Sequence, residues 1–257
     1  MKEAIRAEIT GFVERYREQR DTVTEWRIPL VGFAPAADPL FRRLKSVVSD
    51  SHAMPSDLLE EARTVVAFFL PFGEEISQSN VEGVFSSREW ATAYVETNRL
   101  IQDVSDHLKD YLDRLDFAAA TLPATRNFDP DELISDWSHR HIAFIAGLGV
   151  FGLNNMLITE VGCCGRLGSF VTSAPVEPDT RPEGEACLYR HERSCTQCVQ
   201  RCVNDALFAD RFDRHRCYQM CLRNEERFRS LGQADVCGKC MVGVPCAHID
   251  PVRMLRA

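Results

Sequence analysis

Near the start of the chain, apolar residues recur at helical spacing. Ile5, Ile9, Phe12, Val13 and Tyr16 fall on one face of residues 2–18, which predicts a covering helix. Residues 30–33 read as a short strand running into a proline-containing loop, and residues 40–48 as a short helix. Ser56 is the expected N-cap of the next helical segment. Residues 64–70 (Thr-Val-Val-Ala-Phe-Phe-Leu) are continuously apolar and β-prone, the pattern of a central strand covered on both faces. Pro71-Phe72-Gly73 ends that strand, and a polar loop is expected over 74–80. The longest periodic stretch is 86–115, where Trp90, Tyr94, Thr97, Ile101, Val104, Leu108, Tyr111 and Leu115 form one stripe. A strand at 117–122 follows. Further on, 156–159 and 168–173 read as two strands of one hairpin, with Cys163 and Cys164 at its tip. The fold class expected is α+β.

Between these elements lie two stretches with chemical potential. Residues 129–141 are dense in ionisable groups, among them Asp129, Asp131, Glu132, Asp136, His139, Arg140 and His141. A proton donor beside a redox centre needs groups of this kind, and Asp129 and His139 are the candidates; a solvated surface explains the acidic ones equally well. Gly147, Gly149 and Gly152 form G-x-G-x-x-G, followed by Asn154 and Asn155. Such a loop lets backbone amides approach a large ligand. The dinucleotide reading needs a strand before and a helix after. Here the order is reversed, so dinucleotide binding is disfavoured.

The densest signal comes last. Of eleven cysteines, all but Cys163 and Cys164 fall between Cys187 and Cys246. They include Cys195-x2-Cys198-x3-Cys202 and Cys237-x2-Cys240 with Cys246. Disulfides suit small secreted domains, whereas this chain has 257 residues, is 45% hydrophobic and opens on a charged segment. Zinc is the stronger rival, since two C-x2-C pairs would build a ribbon or finger. Three tightly spaced thiols favour iron–sulfur clusters instead, in the ferredoxin manner, where the last cysteine of each block ligates the cluster held by the other. Crossing gives one [4Fe–4S] cluster on Cys187, Cys195, Cys198 and Cys246, and a second on Cys202, Cys217, Cys237 and Cys240. Cys221 is an alternative to Cys217.

The formal net charge of −8 argues against a general nucleic-acid surface, although 187–229 is locally arginine-rich. No apolar run is long enough to span a bilayer, and a cytoplasmic location, where thiols stay reduced, is expected. Proline-rich 174–184 marks a boundary between a cofactor or substrate domain at 1–180 and a cluster module at 181–257.

Ala146-Gly-Leu-Gly149, Gly152 with Asn154, Gly168-Ser-Phe-Val-Thr172 and the cysteine order through Cys246 together resemble the epoxyqueuosine reductase family, distant relatives of reductive dehalogenases. That resemblance implies a nitroreductase-like cofactor domain followed by a ferredoxin-like double-cluster module. It implies a cobalamin bound without its lower ligand, with Gly147, Gly149, Gly152, Asn154 and Asn155 holding it, and Asp129 in the rough position of a catalytic aspartate. The function expected is electron transfer through two clusters to cobalamin, which reduces a small-molecule or partner-bound substrate, with a ferredoxin or flavodoxin as donor. The acidic balance, and a chain that stops just after the cysteine blocks, argue against tRNA as substrate. The rival reading is a ferredoxin-like carrier or corrinoid-binding redox partner without catalysis of its own.

Overall fold

The computed structural model describes residues 1–123 and 128–255. Its elements in chain order are helix α1 (Lys2–Arg20), strand β1 (Leu30–Pro35), helices α2 (Pro39–Val47) and α3 (Pro55–Leu58), strand β2 (Thr64–Pro71), and helices α4 (Glu74–Ser79) and α5 (Arg88–Asp113). Then come strands β3 (Ala119–Thr121), β4 (Phe128–Asp129) and β5 (Ile134–Ser135), helix α6 (His139–Ile145), and strands β6 (Gly149–Phe151), β7 (Leu157–Thr159) and β8 (Gly165–Thr172). Helices α7 (Leu188–Glu192), α8 (Gln197–Gln200), α9 (Arg214–Arg227) and α10 (Pro251–Leu255) complete the chain. The class is α+β, as the sequence pattern indicates.

The main sheet is antiparallel, in the order β1-β2-β8-β3. All eight residues of β2 are buried, because the strand is covered on both faces. Val66, Phe68 and Leu70 face α1 and α5, packing with Ile5, Ile9, Ile101 and Leu108. Val65, Ala67 and Phe69 face α2 and α6, packing with Phe41, Leu44, Ile142 and Ile145. The period of two in the strand meets the 3.6 period of the helices on either side. Each fully buried aliphatic or aromatic side chain contributes roughly 1.5–3 kcal/mol, so this sandwich is the stable frame of the molecule.

Three expectations are corrected. Ser56 lies inside α3, a single turn started by Pro55; Asp57 accepts from the Met54 amide at 2.8 Å and closes its N-terminus. The stretch 74–80 is mostly helix α4, with Glu74 and Glu75 in its first turn, where acidic groups favour the helix dipole. Strands β7 and β8 do not pair with one another. β7 pairs with β6, and β8 pairs with β2 and β3, because a tight Thr159–Gly162 turn reverses the chain and sends Cys163 and Cys164 inward.

After β8 the chain runs irregularly to α7, and from there short helices alternate with cysteine-bearing loops. No helix among the described residues is long and apolar enough to cross a membrane.

Candidate metal-cluster site

Cys187 stands at the N-terminus of α7, Cys195 follows that helix, Cys198 lies in α8 and Cys246 lies in the last loop. The fold brings the four together. Burial raises the Cys198 thiol to about 12, reinforced by its neighbours Cys246, Cys187 and Cys195. All four line one cavity, with Leu153, Asn154, Val244 and Pro245 between them.

Cys202, Cys217, Cys237 and Cys240 make a second group. Burial pushes the Cys240 thiol well up, and Cys217, Cys237 and Cys202 push it further. Cys237 is raised to about 11, first by burial, then by Cys217 and Cys202. Cys198 also acts on Cys240, so the two quartets adjoin. Cys217 reaches both Cys237 and Cys240, whereas Cys221 faces Cys217 and Cys237. Among the described residues, no three His, Cys, Asp or Glu side chains form a site for a single metal ion. In the first quartet the thiols ring a space. Donors that are all thiols suit zinc or an iron–sulfur cluster.

The loop Cys237–Cys240 is pinned from several directions. Gly238 has φ +73° and lies against the Trp90 indole, which leaves no room for a Cβ. Asn80 donates its amide to the Cys237 carbonyl at 3.0 Å, as does the Ser86 hydroxyl, and Asn154 donates to the Cys240 carbonyl at 3.1 Å. Lys239 is 1% exposed, and its ammonium donates to the carbonyls of Asn80 (2.9 Å) and Glu82 (2.7 Å). A buried cation without a hydrogen-bonded carboxylate is costly alone; the Cys237 sulfur and the Glu82 carboxylate nearby offset part of that cost. The Cys202 sulfur accepts from the Ala206 amide at 3.3 Å. Arg140 lies close enough to the second quartet to lower the Cys217 pKa, after the larger effect of a hydrogen bond from Cys221.

Asp129 is exposed on the β4–β5 hairpin, where its carboxylate accepts from the amides of Asp131 (2.9 Å) and Glu132 (2.8 Å). That hairpin leans on α9: Phe128 meets the Tyr218 ring edge-on at 5.7 Å, one residue from Cys217. His139 is buried. Its Nε2 lies 2.9 Å from the Pro123 carbonyl, which can only accept, so Nε2 carries the proton. Nδ1 then accepts from Ser169 Oγ at 2.8 Å, and Ser169 in turn accepts from Trp137 Nε1 at 2.9 Å. Burial holds the His139 pKa down at about 4. The imidazole is therefore neutral near pH 7, with both nitrogens engaged.

Gly147 and Gly149 line a cavity of about 590 Å³ that extends along the 179–186 linker to Ala186, the neighbour of Cys187. Gly152 and Asn155 do not line it, and Asn154 faces the first thiol quartet instead. An added Cβ at Gly147, Gly149 or Gly152 would meet the protein's own atoms, at Thr180, Ile158 and Asn154 respectively. Sequence reasoning missed Lys239 and Arg140 as the charges beside the thiols. The placement of Lys239 between two cysteines of a C-x2-C step was the available signal.

No known protein-family profile matches the chain, and neither does any curated protein. Solved structures do. An epoxyqueuosine reductase from Streptococcus thermophilus aligns over 91% of this chain with a TM-score of 0.59 and 17% identity. The fold is that of epoxyqueuosine reductases. A second such enzyme, solved with an epoxyqueuosine-modified tRNA stem loop, aligns over 91% with a TM-score of 0.54 and 20% identity. A catabolic reductive dehalogenase shares the fold over 88% of the chain, with a TM-score of 0.59 and 16% identity. The chain spans 65% and 64% of the two reductases and 31% of the dehalogenase.

Proposed function

We propose that the protein is an iron–sulfur oxidoreductase that relays electrons through two [4Fe–4S] clusters to a corrinoid and so reduces a small-molecule substrate. The observation that carries this reading is the sorting of eight cysteines into two adjoining groups of four, with the last cysteine of each sequence block in the other block's group. The donor set fits the clusters: thiols only, an amide donating to Cys202, and Lys239 and Arg140 as nearby cations. Electrostatic compensation of this sort favours the reduced, more negative state.

The 590 Å³ cavity lies within the usual size range of small-molecule sites; a corrinoid, larger than a drug-sized ligand, would extend beyond it. The cavity touches Gly147 and Gly149 and ends at Ala186, the residue before Cys187. Those glycines and the 179–186 linker would hold the group, which supplies a strongly reducing metal centre when bound. The Arg6 guanidinium, 3.0 Å from Asp179, fixes the linker wall of that cavity. Asp129, the expected proton donor, lies outside that cavity, exposed on a hairpin that packs against α9. His139 holds the Trp137–Ser169 chain in place, so α6 keeps its register on β8. The arginines of α9, Arg214, Arg216 and Arg223, are exposed near Cys217 and suit an acidic donor such as a ferredoxin or flavodoxin.

Purification without oxygen tests the reading. The expected product is brown, with about eight iron and eight sulfide per chain, and bleaches with dithionite. Extraction is expected to release a corrinoid, and turnover of candidate substrates, epoxyqueuosine free or in tRNA among them, separates a reductase from a carrier. Stoichiometric zinc with little iron would overturn the proposal.

A further inference from the structure

The two quartets differ in what surrounds them. Between Cys187, Cys195, Cys198 and Cys246 the cavity wall is uncharged, made of Leu153, Asn154, Leu188, Val244, Pro245 and Pro251. The second quartet has cations built into its loops. Lys239 stands between Cys237 and Cys240, and Arg201 directly precedes Cys202. Lys239 is 1% exposed, and its hydrogen bonds go to two backbone carbonyls, those of Asn80 at 2.9 Å and Glu82 at 2.7 Å. Arg201 donates to the carbonyl between them, that of Val81, and to the Lys239 carbonyl at 3.3 Å. Three consecutive carbonyls of residues 80–82 thus receive two cations. We propose that Lys239 sets the reduction potential of the second cluster and makes it the higher of the two, with Arg201 contributing less. The inference rests on the two-cluster reading above.

The placement points to a role for the charge itself. Neutral donors can satisfy loop carbonyls, and burying an ammonium is a costly way to do so. The charge is also fixed. Asn80 donates its amide to the Cys237 carbonyl at 3.0 Å while its own carbonyl accepts from Lys239, so one residue holds both the ammonium and the backbone of a proposed ligand. The Ser86 hydroxyl donates to the same Cys237 carbonyl at 3.0 Å, and Gly238 is pressed against Trp90. Lys239 is therefore kept between the two cysteines that flank it. An amine beside thiolates and an anionic cluster keeps its proton, because opposite charge favours the charged form. Adding one electron to the cluster raises its negative charge by one unit. A cation held in a site poor in water stabilises that state more than the oxidised one, and so raises the potential. Arg201 is only partly buried, so water screens its charge more.

The test is a titration of the anoxically prepared full chain with dithionite, read by electron paramagnetic resonance alongside iron analysis. Two cluster signals in the wild type test the underlying reading; the variants test the lysine. Lys239→Met is expected to lower the higher of the two potentials by about a tenfold change in its reduction equilibrium, about 59 mV for one electron. The lower potential is expected to stay where it is. Arg201→Gln is expected to move the same signal in the same direction by less. Lys239→Arg keeps the charge and is expected to hold the wild-type value. Unmoved potentials in iron-replete variants would overturn the proposal. So would a shift confined to the lower-potential signal, or equal shifts in Lys239→Met and Lys239→Arg, which would mark the effect as one of fit. Lys239→Gln, which keeps a donor without the charge, carries the same test if the methionine variant does not accumulate. Loss of about four iron atoms from the glutamine variant also overturns the proposal, by making the lysine a strut of the loop.

Discussion

Strand β2 and helix α9 show how differently two parts of one chain are held. Every residue of β2 is buried, and helices cover both its faces. Helix α9 is fourteen residues long, yet only Met220 and Asn224 are buried along it. The sheet region is stabilised by apolar area removed from water. The cysteine region has short helices and a smaller apolar cluster, where Leu207, Val242, Val244 and Ala247 pack on Phe72 and Trp90, beside a ring of hydrogen bonds to loop carbonyls. On the two-cluster reading proposed above, metal binding and folding are one equilibrium there, and nearly separate in the sheet.

The sharpest way to break that contrast is to remove the iron. After oxidative chelation, limited proteolysis is expected to cut within residues 187–246 while residues 1–173 remain protected. Cys240→Ser is expected to give the milder version, with about half the iron lost and cleavage confined to the same stretch. Equal protection of both regions without iron would show that the cysteine region folds on its own.

The converse experiment strikes the sheet. Phe68 is fully buried between β8, α1 and α5, and Phe68→Ala is expected to destabilise the frame by about 3–5 kcal/mol. Chemical denaturation followed by far-ultraviolet circular dichroism reads this directly. Iron per folded chain is expected to stay at the wild-type level. A variant that folds normally but loses iron would mean that the two regions are not energetically separate.

This contrast also explains what the sequence made legible. Helix α5 was visible because burial of one face imposes a period, and strand β2 because burial of both faces leaves an unbroken apolar run; both signals are local. The expected grouping of the thiols rests on a different signal: cluster chemistry, as proposed, restricts how cysteines are spaced. What periodicity cannot encode is the partner. Strand β7 looked like the mate of β8, yet it pairs back onto β6, because pairing is decided by the turn at 159–162 and by where Cys163 and Cys164 dock. The same limit hid the contacts that finish the site. Lys239 with Asn80, Asn154 with Cys240 and the Cys163 amide with the Cys246 carbonyl each join residues far apart in sequence.

A smaller effect separates the regions by pH. Unfolded, the His139 imidazole takes a proton near pH 6.5; folded, burial defers this to about 4. Between these values the unfolded chain binds more protons. Stability present above pH 6.5 is therefore lost as the pH falls toward 4. From pH 7 to 5, His139 is expected to account for about 2 kcal/mol of lost stability. Urea midpoints for wild type and His139→Gln check this, since the variant should show a flatter profile. Parallel profiles would place the titration elsewhere.

The smallest predicted change lies on the seam. Asn154 is buried beside β7, where its carbonyl oxygen accepts from the Met156 amide at 3.1 Å and its amide group donates to the Cys240 carbonyl at 3.1 Å. One end of the side chain thus belongs to the sheet side and the other to the loop carrying a proposed ligand. Asn154→Ala removes both bonds and leaves the Cys240 carbonyl without this donor, at a cost of about 1–3 kcal/mol. If the regions are coupled mainly through such carbonyl ties, the loss will fall on the cysteine side. Iron release to a chelator should then quicken while the urea midpoint of the sheet barely moves. If the midpoint falls and iron release is unchanged, Asn154 serves the β6–β7 turn alone, and the coupling between the regions must run through Trp90 and Gly238 instead.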